Sequence, residues 1–343
     1  MREGAREAGE GAGVDEGVEA ERAYRRDGGS GVVADGVQGS GADEVGGGAV
    51  EGIPGARHRY ARAGEVRLHY VEAGASDGSP LLLLHGFPEF FYGWRHQMPA
   101  LADAGFRVIA PDMRGYNLSE KPSGWRSYDI GLLAEDIARL LAALRIERAD
   151  IVGHDWGAAV AYATAMFHPE VVRRLAILNV PHFASLLRGF RTLRQLRKSW
   201  YMFAFQIPRL PEWLFARDDF SLGKRSLRAG AAKGTFSDED LRRYVLAWSQ
   251  PGALSAMINY YRAALRRSPW GMLSRLRPIA APTLVIWGER DIYLGSELAE
   301  PDRRWVRDVR LERIPEASHW VQHEAAAKVN ELLIGFLGAT GAS

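Results

Sequence analysis

From residue 57 onward the chain reads as an α/β fold: a mostly parallel, doubly wound sheet interrupted by an inserted helical domain. Two observations carry this. Apolar runs of strand length alternate with amphipathic helical stretches on both sides of a break near Pro181. Between 183 and 277 the helical spacing continues, rich in Arg, Trp, Phe and Tyr, with no convincing strand.

The first 56 residues stand apart. They hold 16 of the 38 glycines, one tyrosine and no Phe, Trp or Leu. Such a segment lacks the apolar surface that offsets ordering entropy, so it reads as a disordered extension. It also carries 12 Asp/Glu against 5 Arg, a net −7, within a chain whose total is +2.

The elements follow in order. "EVRLHYVEAG" alternates as a strand, "SPLLLLHG" reads as a buried one, and "FRVIAPD" is a third. Leu133, Ile137, Leu140, Leu141 and Leu144 then make one helical stripe. "RADIVGH" (strand), "AAVAYATAMF" (helix) and "VRRLAILNV" (strand) complete a first core part, 57–182. After the 183–277 insertion, a second part (278–343) supplies "PTLVIWG", "VRLERIP" and a final helix near Gln322–Phe336.

Composition removes several classes. With no cysteine, disulfides, thiolate metal sites and thiol nucleophiles are excluded. No apolar run approaches the ~20 residues of a membrane-spanning helix, and the N-terminus lacks a signal-peptide core. A cytoplasmic protein is expected, without cofactor or metal. The basic run "RGFRTLRQLRK" (188–198) is interleaved with Leu and Phe at helical spacing. It reads as a solvated amphipathic face, so neither a nucleic-acid nor a membrane partner is expected.

Three residues follow strands, where open α/β sheets bind ligands. Asp155 follows "ADIVGH", Asp291 follows "TLVIWGER", and His319 follows "VRLERIPEAS". Asp155 sits in "VGHDWGA", the G-x-nucleophile-x-G frame of a strand-to-helix turn, where a serine is usual.

From about 57 to 337 the chain resembles the α/β-hydrolase superfamily, in the branch that holds epoxide hydrolases and dehalogenases. The resemblance rests on "HGFPEF" (85–90), "DMRGYNLSEKP" (112–122), "GHDWGA" (153–158), "GERDIYL" (288–294) and "ASHW" (317–320). It implies the α/β-hydrolase fold, with an aspartate nucleophile that attacks saturated carbon and forms an ester. Asp155, with a reference pKa of ~3.9, is ionised without a base. His319 then activates the water that hydrolyses the ester, and Asp291 orients His319. The backbone N–H groups of Phe87 and Trp156 are the expected oxyanion donors. Phe87, Pro88, Trp156 and Trp320 are expected to line the substrate site. His85 and His154 are read as structural, and Phe87–Pro88 resembles a position where a cis peptide is common.

The leaving group separates the branch. An epoxide oxygen needs a proton donor, and a phenol of pKa ~10 stays protonated at neutral pH. "SWYMFAFQIP" and "MINYYRAALR" resemble the two tyrosine motifs of epoxide hydrolases, placing Tyr201 and Tyr261 as donors, with Tyr260 facing elsewhere. Fluoroacetate-type dehalogenases carry arginine where Trp156 stands. Haloalkane-type enzymes usually present Asn or Trp where Phe87 stands, and Asn179 is not the acid some of them use. The expected partners are therefore a hydrophobic epoxide and water. A dehalogenase and a non-catalytic binding protein are the alternatives, and no motif encodes an oligomeric state.

Overall fold

The computed structural model describes residues 47–266 and 274–338. Eight strands form one sheet: β1 Arg57–Ala63, β2 Val66–Ala73, β3 Ser79–Leu84, β4 Phe106–Pro111, β5 Ala149–His154, β6 Val172–Leu178, β7 Thr283–Gly288 and β8 Val309–Ile314. Their order is β1-β2-β4-β3-β5-β6-β7-β8. β1 and β2 pair antiparallel, as do β2 and β4. Every other pairing is parallel. "LLLL" in β3 and all of β5 are buried, as uninterrupted apolar runs must be when helices cover both faces of a parallel sheet. This is the α/β-hydrolase fold that the motifs implied.

Helix α1 spans Gln97–Asp103, α2 Ile130–Ala143 and α3 Trp156–Phe167. The Asp129 carboxylate accepts from the Gly131 N–H and caps α2, whose stripe of Leu133, Ile137, Leu140 and Leu141 is buried as its spacing predicts. Among the described residues, six helices lie between β6 and β7: α4 Phe183–Gly189, α5 Leu193–Lys198, α6 Trp200–Ala204, α7 Leu210–Arg228, α8 Asp238–Trp248 and α9 Ala253–Arg266. α7 is broken at Arg217–Phe220, where the backbone leaves helical values. Residues 267–273 of the expected helical insertion lie outside the described residues. Among those described, no helix is long and apolar enough to cross a membrane.

Three features depart from the sequence reading. Residues 47–56, assigned to the extension, are partly packed: Val50, Ile53 and Ala56 are buried, and Ala49 bridges Arg57. A few small aliphatic residues found cover that a composition average concealed; residues 1–46 lie outside the described residues. β1 was not anticipated, because "RHRYARA" is an edge strand with little apolar alternation. The last helix is two, α10 Val321–Glu324 and α11 Ala326–Leu337, parted at Ala325 (φ −119°, ψ 39°). Next to the break, the Glu324 carboxylate accepts from Ser318 Oγ (2.8 Å) and the Ala232 N–H (2.7 Å).

Candidate active site

β5 ends at His154 and α3 begins at Trp156, leaving Asp155 alone at the turn with φ 49° and ψ −123°. A non-glycine residue there stores about 1–3 kcal/mol of strain. Its glycine neighbours serve close approach, and the positive φ of the turn falls on Asp155 itself. A Cβ on Gly153 would lie 2.6 Å from Ala158 Cα, and one on Gly157 would strike the carbonyls of Leu84 and His85. A Cβ on Gly86 would collide with the Asp155 side chain. The loop after β3 can therefore lie against the carboxylate, and the Phe87 N–H donates to Asp155 Oδ1 at 2.7 Å.

The other carboxylate oxygen faces the histidine. His319 Nε2 lies 3.6 Å from Asp155 Oδ2, while its Nδ1 lies 2.7 Å from Asp291 Oδ2. Asp291 is itself held by the Asn179 amide (2.9 Å) and by the N–H groups of Tyr293 (2.7 Å) and Leu294 (2.9 Å). Asn179 also bonds the Gly288 backbone, so it fixes the acid in place, a role its non-acidic side chain did not suggest. Burial works against charge on all three groups, yet each gains more from its partners. Asp155 and Asp291 are held below the ordinary carboxylate range by His319. Burial would lower His319, but Asp291 and Asp155 lift it to about 10. The resting site is thus two carboxylates astride an imidazolium.

Tyr201 on α6 and Tyr261 on α9 come together, their rings 5.7 Å apart. Phe87, Trp156 and Phe205 surround Tyr261 at 5.2, 5.1 and 5.0 Å. Burial, then the Asp155 charge, pushes both phenols well above 10. Tyr260 is turned away, donating to the Arg114 carbonyl (2.7 Å). Trp320 departs from its expected place as a substrate wall. Its ring neighbours are His154, His319 and Phe236, and it is buried in the main core.

The Phe87–Pro88 bond is cis, and the Pro88 carbonyl accepts from Trp248 Nε1 at 2.6 Å. His85 bridges the Gly86 carbonyl and the Met113 N–H, a structural role. One hub escaped the sequence reading. Glu89, buried, accepts from Tyr244 Oη (2.7 Å), His323 Nε2 (2.7 Å) and Gln322 Nε2 (2.9 Å). Gln322 also reaches His154 Nδ1 (3.1 Å), and His154 Nε2 donates to the His319 carbonyl (2.9 Å). Arg95 faces His323 Nδ1 (3.0 Å); burial chiefly, with Arg95, holds His323 neutral with a pKa of about 4. The sole hint was a glutamate inside the otherwise apolar "HGFPEF". Among the described residues no group of three or more His, Asp or Glu is arranged to hold a metal.

Comparison with known proteins gives concordant results. The α/β-hydrolase fold family model matches residues 79–326. The chain is 40% identical over 287 residues to the AB hydrolase superfamily protein YfhM of Bacillus subtilis, covering 83% of this chain and 99% of that one. It is 36% identical to epoxide hydrolase 2 of Caenorhabditis elegans over 82% of this chain and 79% of that one. Among solved structures it is similar to an epoxide hydrolase of Bacillus megaterium bound to an inhibitor. That match has a TM-score of 0.74 and 34% identity, over 82% of this chain and all of the other.

Proposed function

The chain belongs to the α/β-hydrolase family, on its epoxide hydrolase branch, and from that premise we propose that it converts a hydrophobic epoxide and water to a vicinal diol through an ester on Asp155. In the first step Tyr201 and Tyr261 hold the epoxide oxygen, and an Asp155 carboxylate oxygen attacks a ring carbon. The carbon–oxygen bond of the ring breaks, and its oxygen takes a proton from a phenol. In the second step the His319 imidazolium gives its proton to the phenolate left by the first, so that Nε2 can take one from water, and the hydroxide adds to the Asp155 carboxyl carbon. The Phe87 and Trp156 N–H groups hold the oxyanion that forms. Collapse breaks the acyl–oxygen bond, and the departing oxygen takes the proton of the re-formed carboxyl group, which releases the diol and leaves the Asp155 carboxylate beside the His319 imidazolium.

Residues 183–277 then act as a cap that brings two phenols to a site built by 57–182 and 278–343. The observation that carries the reading is the phenol pair itself, packed together and kept protonated within reach of the Asp155 charge. An epoxide panel assayed for diol tests the reaction, and a single turnover in heavy-oxygen water tests the ester. The diol of the first turnover should carry unlabelled oxygen, with label appearing in Asp155. Halide release from haloalkanes or haloacids, with epoxides untouched, would transfer the enzyme to the dehalogenases.

A further inference from the structure

The run at 188–198 turns only part of its apolar side inward: Phe190 and Leu196 are half-buried, the first against the aromatic cluster, but Leu193 is not covered. On α5 the buried residue is Gln195, which bonds Ser199 Oγ (2.9 Å), the Tyr293 carbonyl (2.9 Å) and the Gly295 N–H (3.1 Å). Leu193 stands 73% exposed. α6 repeats the inversion. Tyr201 and Met202 join the aromatic cluster with Tyr261, while Trp200 and Phe203 are 66% and 48% exposed. Ile207, Leu210, Trp213 and Leu214 extend the band, which holds seven of the eleven exposed large hydrophobic residues among those described. Scattered apolar residues on a surface are ordinary, but a concentration of this kind within 22 residues marks an interaction site.

Its charge is one-sided. The exposed charged residues from 191 to 217 are Arg191, Arg194, Arg197, Arg209 and Arg217. The single acid of that stretch, Glu212, is taken by Arg262 at 2.6 and 3.0 Å. Arg194 meets Glu297 from outside the stretch at 3.5 Å; Arg217 lies over the Trp213 ring at 4.6 Å and meets the exposed Asp218 at 4.0 Å, while the next acid, exposed Asp219, is paired with Lys224.

We propose that this face of α5, α6 and the start of α7 docks on an anionic lipid surface. Indole rings and arginines belong together at such a boundary: the ring enters the headgroup layer while the guanidinium stays with phosphate. Anionic headgroups complement a face without a free acid. A second copy of the chain does not, because a two-fold interface sets the same patch against itself, arginine against arginine. This is peripheral contact and differs from spanning, so the missing transmembrane run does not oppose it; it revises the expectation that membranes are no partner. Tyr201 lies on the opposite side of α6 from Trp200 and Phe203. A docked molecule therefore holds the proposed epoxide site just behind the lipid boundary, where apolar epoxides concentrate. That use rests on the epoxide reading, while the docking rests on the surface alone.

Cosedimentation of the full chain with vesicles tests the docking. It should bind phosphatidylglycerol/phosphatidylcholine vesicles and leave pure phosphatidylcholine largely free. Binding should weaken as salt brings the screening length to about 8 Å. A Trp200→Ser/Phe203→Ser/Trp213→Ser variant and an Arg197→Gln/Arg209→Gln variant should each lose affinity, the second by roughly fivefold per arginine removed. Unchanged melting temperatures establish that both variants fold. Should either fail to fold, quenching of wild-type tryptophan fluorescence by brominated phosphatidylglycerol reads the docking without any substitution. Equal partition on the two vesicle types, or no quenching, overturns the proposal. So does a dimer in sedimentation equilibrium that the serine variant disperses, with no vesicle binding, since the face then belongs to a second copy. Loss of epoxide activity on any panel leaves these readouts untouched.

Discussion

His319 Nε2 faces Asp155 Oδ2 at 3.6 Å while its other nitrogen is held by Asp291, so the proposed base rests between two negative charges. A base must be neutral to take a proton from water, yet here the imidazole is lifted to about 10. The conflict resolves within the proposed cycle. Ester formation erases the Asp155 charge, and His319 loses one of the two anions that hold its proton. It becomes a base only when there is an ester to hydrolyse.

The first prediction isolates that charge. In an Asp155→Asn variant, which keeps the shape of the carboxylate, the His319 pKa should fall relative to wild type. Carbon-13 NMR of the imidazole Cε1 reads it directly: wild type stays imidazolium through neutral pH and titrates near 10. Identical midpoints in the two proteins would remove Asp155 from the control of His319.

Blocking the second step should expose the first. A His319→Gln variant retains the nucleophile and phenols but has no base for water, so turnover should drop by about 10²–10⁴. Intact-mass spectrometry should then show an adduct equal in mass to the epoxide. An Asp155→Ala variant should show none. Full turnover in the glutamine variant, or an adduct on the alanine variant, contradicts the assigned roles.

The phenols should share their load unequally with a single survivor. Tyr201→Phe and Tyr261→Phe each leave one donor, so each should retain activity reduced by about 10–10². The double variant should be inactive, with the barrier for ring opening raised, and no ester should accumulate. An ester that still forms at the wild-type rate in the double variant would assign protonation to another group.

The legible part of this molecule is the part written in local pattern. Asp155, Asp291 and His319 each follow a strand that the apolar runs announce, and the strands after β1 were readable for the same reason. Glu89 was not, because its partners Tyr244, Gln322 and His323 are 155, 233 and 234 residues away, and nothing local marks them as a set. Nor was the direction of α5. Helical spacing says that a face is apolar but not whether the protein covers it, and Gln195 occupies the inside because its amide meets both the Tyr293 carbonyl and the Gly295 N–H. Residue type alone would place the positive φ of that turn on a glycine. Packing put it on the aspartate.

The Glu89 hub supplies the last prediction. It ties the oxyanion loop to α8 through Tyr244, to α10 through Gln322 and His323, and through His154 to the His319 carbonyl. A Glu89→Ala variant strands these donors and should lose about 3 kcal/mol of stability. Glu89→Gln keeps the shape but not the charge, so it should melt between alanine and wild type. Its kcat should fall by up to about 10² as the loop and histidine drift, with KM changed far less. The sign with pH is also set. Despite burial, His323 and its neighbours hold the Glu89 carboxyl well below its ordinary 4.5, so its contribution is complete above that value and fades as pH falls through the folded pKa. The melting-temperature gap between wild type and Glu89→Gln should therefore be constant at neutral pH and narrow on the acid side of 4.5. A gap that stays constant down to the acid limit would mean that the Glu89 carboxyl has the same pKa folded and unfolded, and the hub would hold the loop by shape alone.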